Sequence, residues 1–248
     1  MAAGTQRLDR FIAQTLRVGR SQTRLLLAQK RLWIDDELAT SCDQLIDHFS
    51  HIRVDQKILQ ARTAHYLMLN KPKGYVSATK DDRHPTVMDL IQETYKDPLH
   101  IVGRLDFNST GLMLLTNDSR WSEKLMQPAY KVAKHYHVQV SHSISNAMIK
   151  GFAEGIYFSF EKLMTAPATL NRLDDYHAEV ILTEGKYHQV KRMFGHFQNQ
   201  VLALHRTQIG ALQLDPSLTP GQSRSLQTKE VESVFNHSQH QLNAQYPL

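Results

Sequence analysis

The segment GRLDFNSTGLMLLTND, residues 103–118, places a cation, Arg104, and a carboxylate, Asp106, two positions apart, just ahead of a glycine and an apolar run. The run from Gly111 to Leu115 is short and ends in the turn residues Asn117 and Asp118. It predicts a buried strand with Arg104 and Asp106 in the loop at its mouth. A carboxylate fixed there can serve as nucleophile or base, whereas the same pair on an exposed loop would be an ion pair of little energetic weight. Two other stretches carry matching chemistry. In KHYHVQV, residues 134–140, strand alternation puts Lys134, Tyr136 and Val138 on one face and His135, His137 and Gln139 on the other. Tyr136 has a ring that can stack on a base and a polar tip that can hydrogen-bond. The two histidines lack a third ligand at a recognisable spacing, so no metal site is expected. In EGKYHQVKRMF, residues 184–194, Gly185 ends a strand and the following residues predict a helix with Val190, Met193 and Phe194 on its apolar side. On that helix Tyr187 and Lys191 share a face, Arg192 is turned away, and Lys191 can meet a carboxylate on a neighbouring strand.

A third basic group lies in NKPKGY, residues 70–75, where Pro72 and Gly74 predict a turn that brings Lys71 and Lys73 out beside the sheet to contact phosphate. Other chemistries find no support. The chain has no paired-cysteine motif, no phosphate loop, no dinucleotide glycine fingerprint and no serine in a glycine-flanked elbow.

The elements that must hold these groups read as two domains. Residues 7–31 carry Leu8, Phe11, Ile12 and Leu16 at helical spacing, a break at Gly19 and a second apolar set at Leu25–Leu27, which is a helix pair. Arg7, Arg10, Arg17, Arg20, Arg24, Lys30 and Arg31 stand in this segment against one acid, Asp9. A helix pair built only for solubility would intersperse acids to gain local pairs, so the face suits a phosphate backbone. RLWIDDELA and FSHIRVDQ alternate like short strands and complete a domain over residues 1–59, followed by a linker at 60–64. Residues 65–235 hold strand-like runs irregularly interleaved with helix-like segments TVMDLIQETY, SEKLMQ, SNAMIKGFAEG and KYHQVKRMFGHF. That pattern predicts an α+β domain on a mixed, mostly antiparallel sheet, with a loose tail at 236–248.

With 248 residues and 41% hydrophobic content the chain can bury a proper core. A net charge of +5 with 14 histidines fits an anionic partner, nucleic acid ahead of a membrane surface. The single cysteine, Cys42, permits no internal disulfide and fits the cytoplasm. Neither a signal peptide nor a membrane-length apolar run is present, so no membrane partner is expected.

Taken in order, GRLD, KHYHV and EGKYHQVKRMF, with MLNKPKGYVSATKDDRHPTV ahead of them, resemble the signature segments of the RNA pseudouridine synthases. The likeness is to the branch that modifies small-subunit ribosomal RNA, and it runs from about Arg7 to Val234. Residues 7–59 also resemble the small helix-pair RNA-binding fold named after a small-subunit ribosomal protein. The resemblance implies a basic module that docks RNA and a larger domain that isomerises uridine to pseudouridine without a cofactor. It matches Asp106 to the family's catalytic aspartate, Tyr136 to its active-site tyrosine, Lys191 to the basic residue that pairs with the aspartate, and Arg104 to the arginine of the same loop. Asn108, Ser109 and Ser119 depart from the Asp, Thr and Gly common in the closest relatives. The implied partner is ribosomal RNA or a small-subunit assembly particle, met by a monomer. The alternatives are a large-subunit RNA target, a non-catalytic assembly factor that uses only the basic face, or a hydrolase pairing Asp106 with Glu184.

Overall fold

The break at Gly19 separates two nine-residue helices in the computed structural model of this chain, which describes residues 5–92, 94–95 and 99–236. Two compact units are formed: Met1–His65 with Asn117–Arg120, and Tyr66–Thr116 with Trp121–Leu248. The tail expected to be loose lies, from residue 237 onward, outside the described residues.

In the first unit, β1 (Gln6–Arg7) leads into α1 (Leu8–Leu16) and α2 (Arg20–Ala28). These are followed by β2 (Leu32–Ile34), β3 (Glu37–Leu38), β4 (Leu45–Ile46), β5 (Ile52–Val54) and β6 (Lys57–Gln60). Leu8 and Ile12, four apart on α1, are fully buried and meet Leu26 of α2 and the alternating residues Leu32, Ile34, Ile52 and Val54 of the antiparallel sheet β3-β2-β5-β6. The opposite face carries the charge. All seven basic residues named above are exposed. Two of them have partners: Arg7 pairs with Asp9 at 3.0 Å and Arg31 with Asp55 at 2.6 Å. Asp55 comes from the turn between β5 and β6, outside the segment 7–31. Arg10, Arg17, Arg20, Arg24 and Lys30 make no ion pair among the described residues.

The second unit is built on β7 (Tyr66–Lys71), β8 (His100–Val102), β9 (Thr110–Thr116), α3 (Ser119–Met126), β10 (Lys134–Val140), α4 (Asn146–Glu154), β11 (Tyr157–Phe158) and β12 (Leu163–Met164). After these come β13 (Thr169–Arg172), β14 (His177–Leu182), α5 (Gln189–His196), β15 (Val201–Ile209), β16 (Leu212–Gln213), β17 (Ser223–Ser225) and α6 (Thr228–Ser233). Nine strands form one sheet in the order β13-β14-β10-β15-β9-β7-β17, with β8 on β9 and β16 on β15. Every pairing is antiparallel except β9 with β15, so the sheet is mixed and mostly antiparallel, in an α+β unit. Both faces of its centre are covered. Leu67, Leu69, Met113 and Leu115 join one core with Met148, Phe152, Met193 and Phe194, while Met68, Leu112 and Leu114 join a second with Trp121 and Leu125. This is why β7 and β9 read as unbroken apolar runs without alternation.

The described residues of TVMDLIQETY form a short 3-10 turn, Val87–Leu90, instead of the expected helix. Thr86 and Asp89 close a capping box around that turn, and Ile91 then returns to extended backbone. No helix among the described residues is long and apolar enough to cross a membrane.

The parallel contact sets one tight constraint. Gly111 of β9 pairs with Arg206 of β15 at φ 102°, and a Cβ there would lie 2.3 Å from the Arg206 carbonyl oxygen and 2.7 Å from its nitrogen. Backbone cannot yield as a side-chain tip can. Gly111→Ala is expected to destabilise the protein by about 2 kcal/mol or more, read as a lowered urea midpoint with an unchanged slope. A midpoint equal to that of the wild type would contradict this packing.

Candidate active site

The loop between β8 and β9 is tied to its surroundings through its backbone. The Leu105 N–H donates to Ser77 Oγ at 3.1 Å, and that hydroxyl donates back to the Leu105 carbonyl at 2.6 Å. The Asp106 carbonyl accepts the Ser109 N–H at 3.0 Å, and the Phe107 carbonyl accepts the Gly74 N–H, also at 3.0 Å. Beneath the loop lies Lys71, whose Nζ donates to the carbonyls of Ser109 at 2.8 Å, Pro72 at 3.0 Å and Asp106 at 3.1 Å.

Lys71 therefore corrects the expectation of an outward phosphate contact. It is fully buried, because alternation along β7 puts it on the same face as Leu67 and Leu69. Burial holds its ammonium down at about 8, with the Asp106 carboxylate acting in the opposite direction. Lys73, two residues on, is exposed as expected.

The loop presents the Asp106 carboxylate to two partners. Lys191 Nζ stands 2.7 Å from Oδ2 and His188 Nε2 3.2 Å from Oδ1. Both partners come from the start of α5, but that helix begins at Gln189, so Tyr187 does not share a helical face with Lys191. The buried Gln189 side chain explains the late start. It donates to Glu184 at 2.6 Å and accepts the Lys186 N–H at 2.9 Å, which holds residues 184–188 as a loop. His188 takes a left-handed conformation at φ 50° and stacks on the exposed Tyr187 ring, with centroids 3.9 Å apart. Arg192 is turned away as expected, pairing with Glu161 and lying 3.7 Å over the Phe158 ring.

Asp106, Lys191, Tyr136 and Arg104 all line one cavity of about 470 Å³. Tyr136 is 8% exposed, and its β10 position pairs with Arg206 on one side and Val180 on the other. Arg104 is exposed and makes no hydrogen bond or ion pair among the described residues, which leaves it available to a ligand. Asp106 is the only carboxylate among the described lining residues. Glu184, the acid a hydrolase would need, is held instead by Lys186 at 2.8 Å, Gln189 and the Ala166 N–H. The histidines of β10 are also spoken for. His135 is buried against Glu179 at 3.0 Å, and chiefly that bond holds the glutamate down at about 2. No cluster able to hold a metal occurs among the described residues.

Sequence reasoning missed three lining residues. The part of His188 is not legible in the sequence, because a left-handed turn at a non-glycine residue has no sequence signature. Lys134 was placed on the Tyr136 face without a role, and Arg206 was overlooked. A lone arginine in the apolar run VLALHRTQIG was the available signal for a buried charge.

Among its described lining residues, the cavity thus brings a single carboxylate, held by Lys191 and His188, beside a tyrosine on a mixed sheet. Residues 65–196 match the family described as RNA pseudouridylate synthase, and the chain belongs to that family. Among its relatives is the ribosomal small subunit pseudouridine synthase A of Pseudomonas aeruginosa, 46% identical over 229 residues that cover 92% of this chain and all of the relative. The protein of the same name from Escherichia coli (strain K12) is 37% identical, covering 92% of this chain and 99% of that one. A crystal structure of pseudouridylate synthase superposes with a TM-score of 0.67 at 37% identity, over 92% of this chain and 99% of the other.

Two outcomes follow from this geometry. Lys71→Met leaves the carbonyls of the Asp106 loop without their donor and should destabilise the protein by roughly 3 kcal/mol, seen as a lowered Tm. A Tm unchanged from wild type would mean the loop does not depend on this lysine. Burial, reinforced by the charge of Arg206, holds Lys134 down at about 8 against a free value of 10.5. Unfolding lets it take up a proton within that window, so its contribution makes stability rise with pH there. Lys134→Met should flatten the rise in urea midpoint between about pH 8 and pH 10; an identical slope would contradict the burial effect.

Proposed function

We propose that this protein isomerises a uridine of small-subunit ribosomal RNA to pseudouridine, with Asp106 as the catalytic carboxylate. The observation that carries this reading is the placement of Asp106. Its two oxygens face Lys191 and His188 in a cavity that also holds Tyr136, within a chain of the pseudouridine synthase family. The small-subunit target rests on the names of its full-length relatives.

The reaction breaks the bond from ribose C1′ to N1 of uracil, turns the ring and rejoins it through C5. No atoms enter or leave, so no redox or energy cofactor takes part. Asp106 acts either as a nucleophile at C1′ or as a base that removes a ribose proton. Lys191 orients the carboxylate and offsets its charge. Tyr136 stacks on the base and assists proton movement at C5. Arg104, exposed at the cavity rim, contacts the RNA around the target. To enter, a paired uridine leaves its helix, and the cost of unstacking, a few kcal/mol, is offset by contacts in the pocket and along the backbone.

The first unit supplies docking. Arg10, Arg17, Arg20, Arg24 and Lys30, exposed and without ion pairs, are disposed to meet phosphates, with Lys73 a further contact. Arg20→Ala with Arg24→Ala should weaken RNA binding and reduce its salt slope by about 2, leaving turnover at saturating RNA intact. An unchanged slope would assign docking to another face. Carbodiimide primer-extension mapping tests the target. Incubation of unmodified small- and large-subunit ribosomal RNA with the protein should create a stop in the small-subunit RNA alone. A stop only in large-subunit RNA would reassign the target. No stop in either RNA, or in partly assembled subunits that bind the protein tightly, would favour an assembly factor.

A further inference from the structure

Arg206 is only 2% exposed, yet its side chain is poorly satisfied. Nε donates to the Leu112 carbonyl at 2.7 Å, while Nη2 is buried with no partner among the described residues. A guanidinium cannot shed its charge, and a buried donor left unpaired destabilises the fold. Among the described residues lining the cavity there is no compensating anion, since Asp106 is the only carboxylate and faces Lys191 and His188. Two further groups share the imbalance. Lys134 lines the same cavity with its Nζ donating to the Val132 carbonyl at 3.0 Å, and Ser109 Oγ, also lining it, is buried without a partner among the described residues. The cavity thus has more donors and positive charge than the protein itself uses.

We infer that Arg206, supported by Lys134, forms a binding site for a ring oxygen of the uracil anion during the interval when the base is detached from ribose. This rests on the isomerase reading above. When the C1′–N1 bond breaks, the electron pair leaves with uracil, whether Asp106 forms a bond to C1′ or takes a ribose proton. The resulting negative charge spreads over N1, O2 and O4. The ring then turns about the axis through N3 and C6, which exchanges N1 with C5 and O2 with O4. A single fixed donor therefore meets O2 before the turn and O4 after it, so the anion is stabilised in both orientations without movement of the protein. C5 next bonds to C1′. The carboxylate departs, or the ribose proton returns. Finally C5 loses its proton and N1 gains one, which closes the balance. A charge-assisted hydrogen bond from a buried guanidinium suits this task. Strand register holds the donor in place, since Arg206 lies directly between Tyr136 and Gly111.

The test is a single-turnover comparison of RNA carrying uridine with RNA carrying 5-fluorouridine at the target, read as loss of the starting nucleoside after digestion. Fluorine makes the departing ring a weaker base that needs less help. Arg206→Met should slow the uridine reaction by about 100-fold or more, and raise the ratio of the fluorouridine rate to the uridine rate well above the wild-type value. Arg206→Lys, which keeps the cation, should restore the ratio towards wild type. Lys134→Met should raise the ratio too, and it keeps the test decisive if Arg206→Met does not fold. Variants that slow both substrates equally would overturn the assignment and leave Arg206 a structural residue. A wild-type protein that converts neither RNA would overturn the isomerase reading, and the assignment with it.

Discussion

The 2.7 Å contact between Lys191 and Asp106 joins a loop at the edge of β9 to the first turn of α5, and the cavity is organised about that junction. A carboxylate meant for chemistry must be held in one orientation while keeping its charge. Here polar partners on both oxygens provide the orientation, and among the described residues no second acid stands in the cavity wall to compete for them. The backbone of the same loop is fixed independently by Ser77 above and the buried ammonium of Lys71 below. Position and charge are thus set by different groups, so the carboxylate can change partners during a reaction without loss of the loop.

The sheet makes this possible by bringing two strands unusually close. Gly111 has no side chain, and Arg206 occupies the facing position on the parallel strand. The same approach that seats the loop also seats a guanidinium inside the cavity, where its partial satisfaction is a liability for stability. Retaining such a group makes physical sense where a ligand brings negative charge to it. Departing uracil does so in the reaction proposed here.

Much of this arrangement was legible in the sequence. Apolar spacing located the helix pair and α5, and unbroken apolar runs located the central strands, because burial on one face leaves a period and burial on both leaves a run. The residues proposed for chemistry, Arg104, Asp106, Tyr136 and Lys191, come together around one cavity. Other features escaped for identifiable reasons. Lys71 was assigned outward because it adjoins a proline–glycine turn, although its alternation with Leu67 and Leu69 placed it inside. The partner of Arg31 is Asp55, which a count of local acids does not reach. TVMDLIQETY has helical apolar spacing, but a capping box closes it into one short turn. The start of α5 and the turn at His188 are set by Gln189 reaching Glu184, a contact between side chains that no local propensity encodes.

The central claim is that Asp106 performs the chemistry and contributes little to RNA affinity. Isomerisation exchanges the hydrogen at C5 of the target uridine with water, so release of tritium from small-subunit RNA labelled at uridine C5 reports the reaction directly. The account predicts release by the wild-type protein and none above background by Asp106→Asn, with the RNA affinity of the variant unchanged. Comparable release from Asp106→Asn would show that another group does the chemistry and would contradict the assignment.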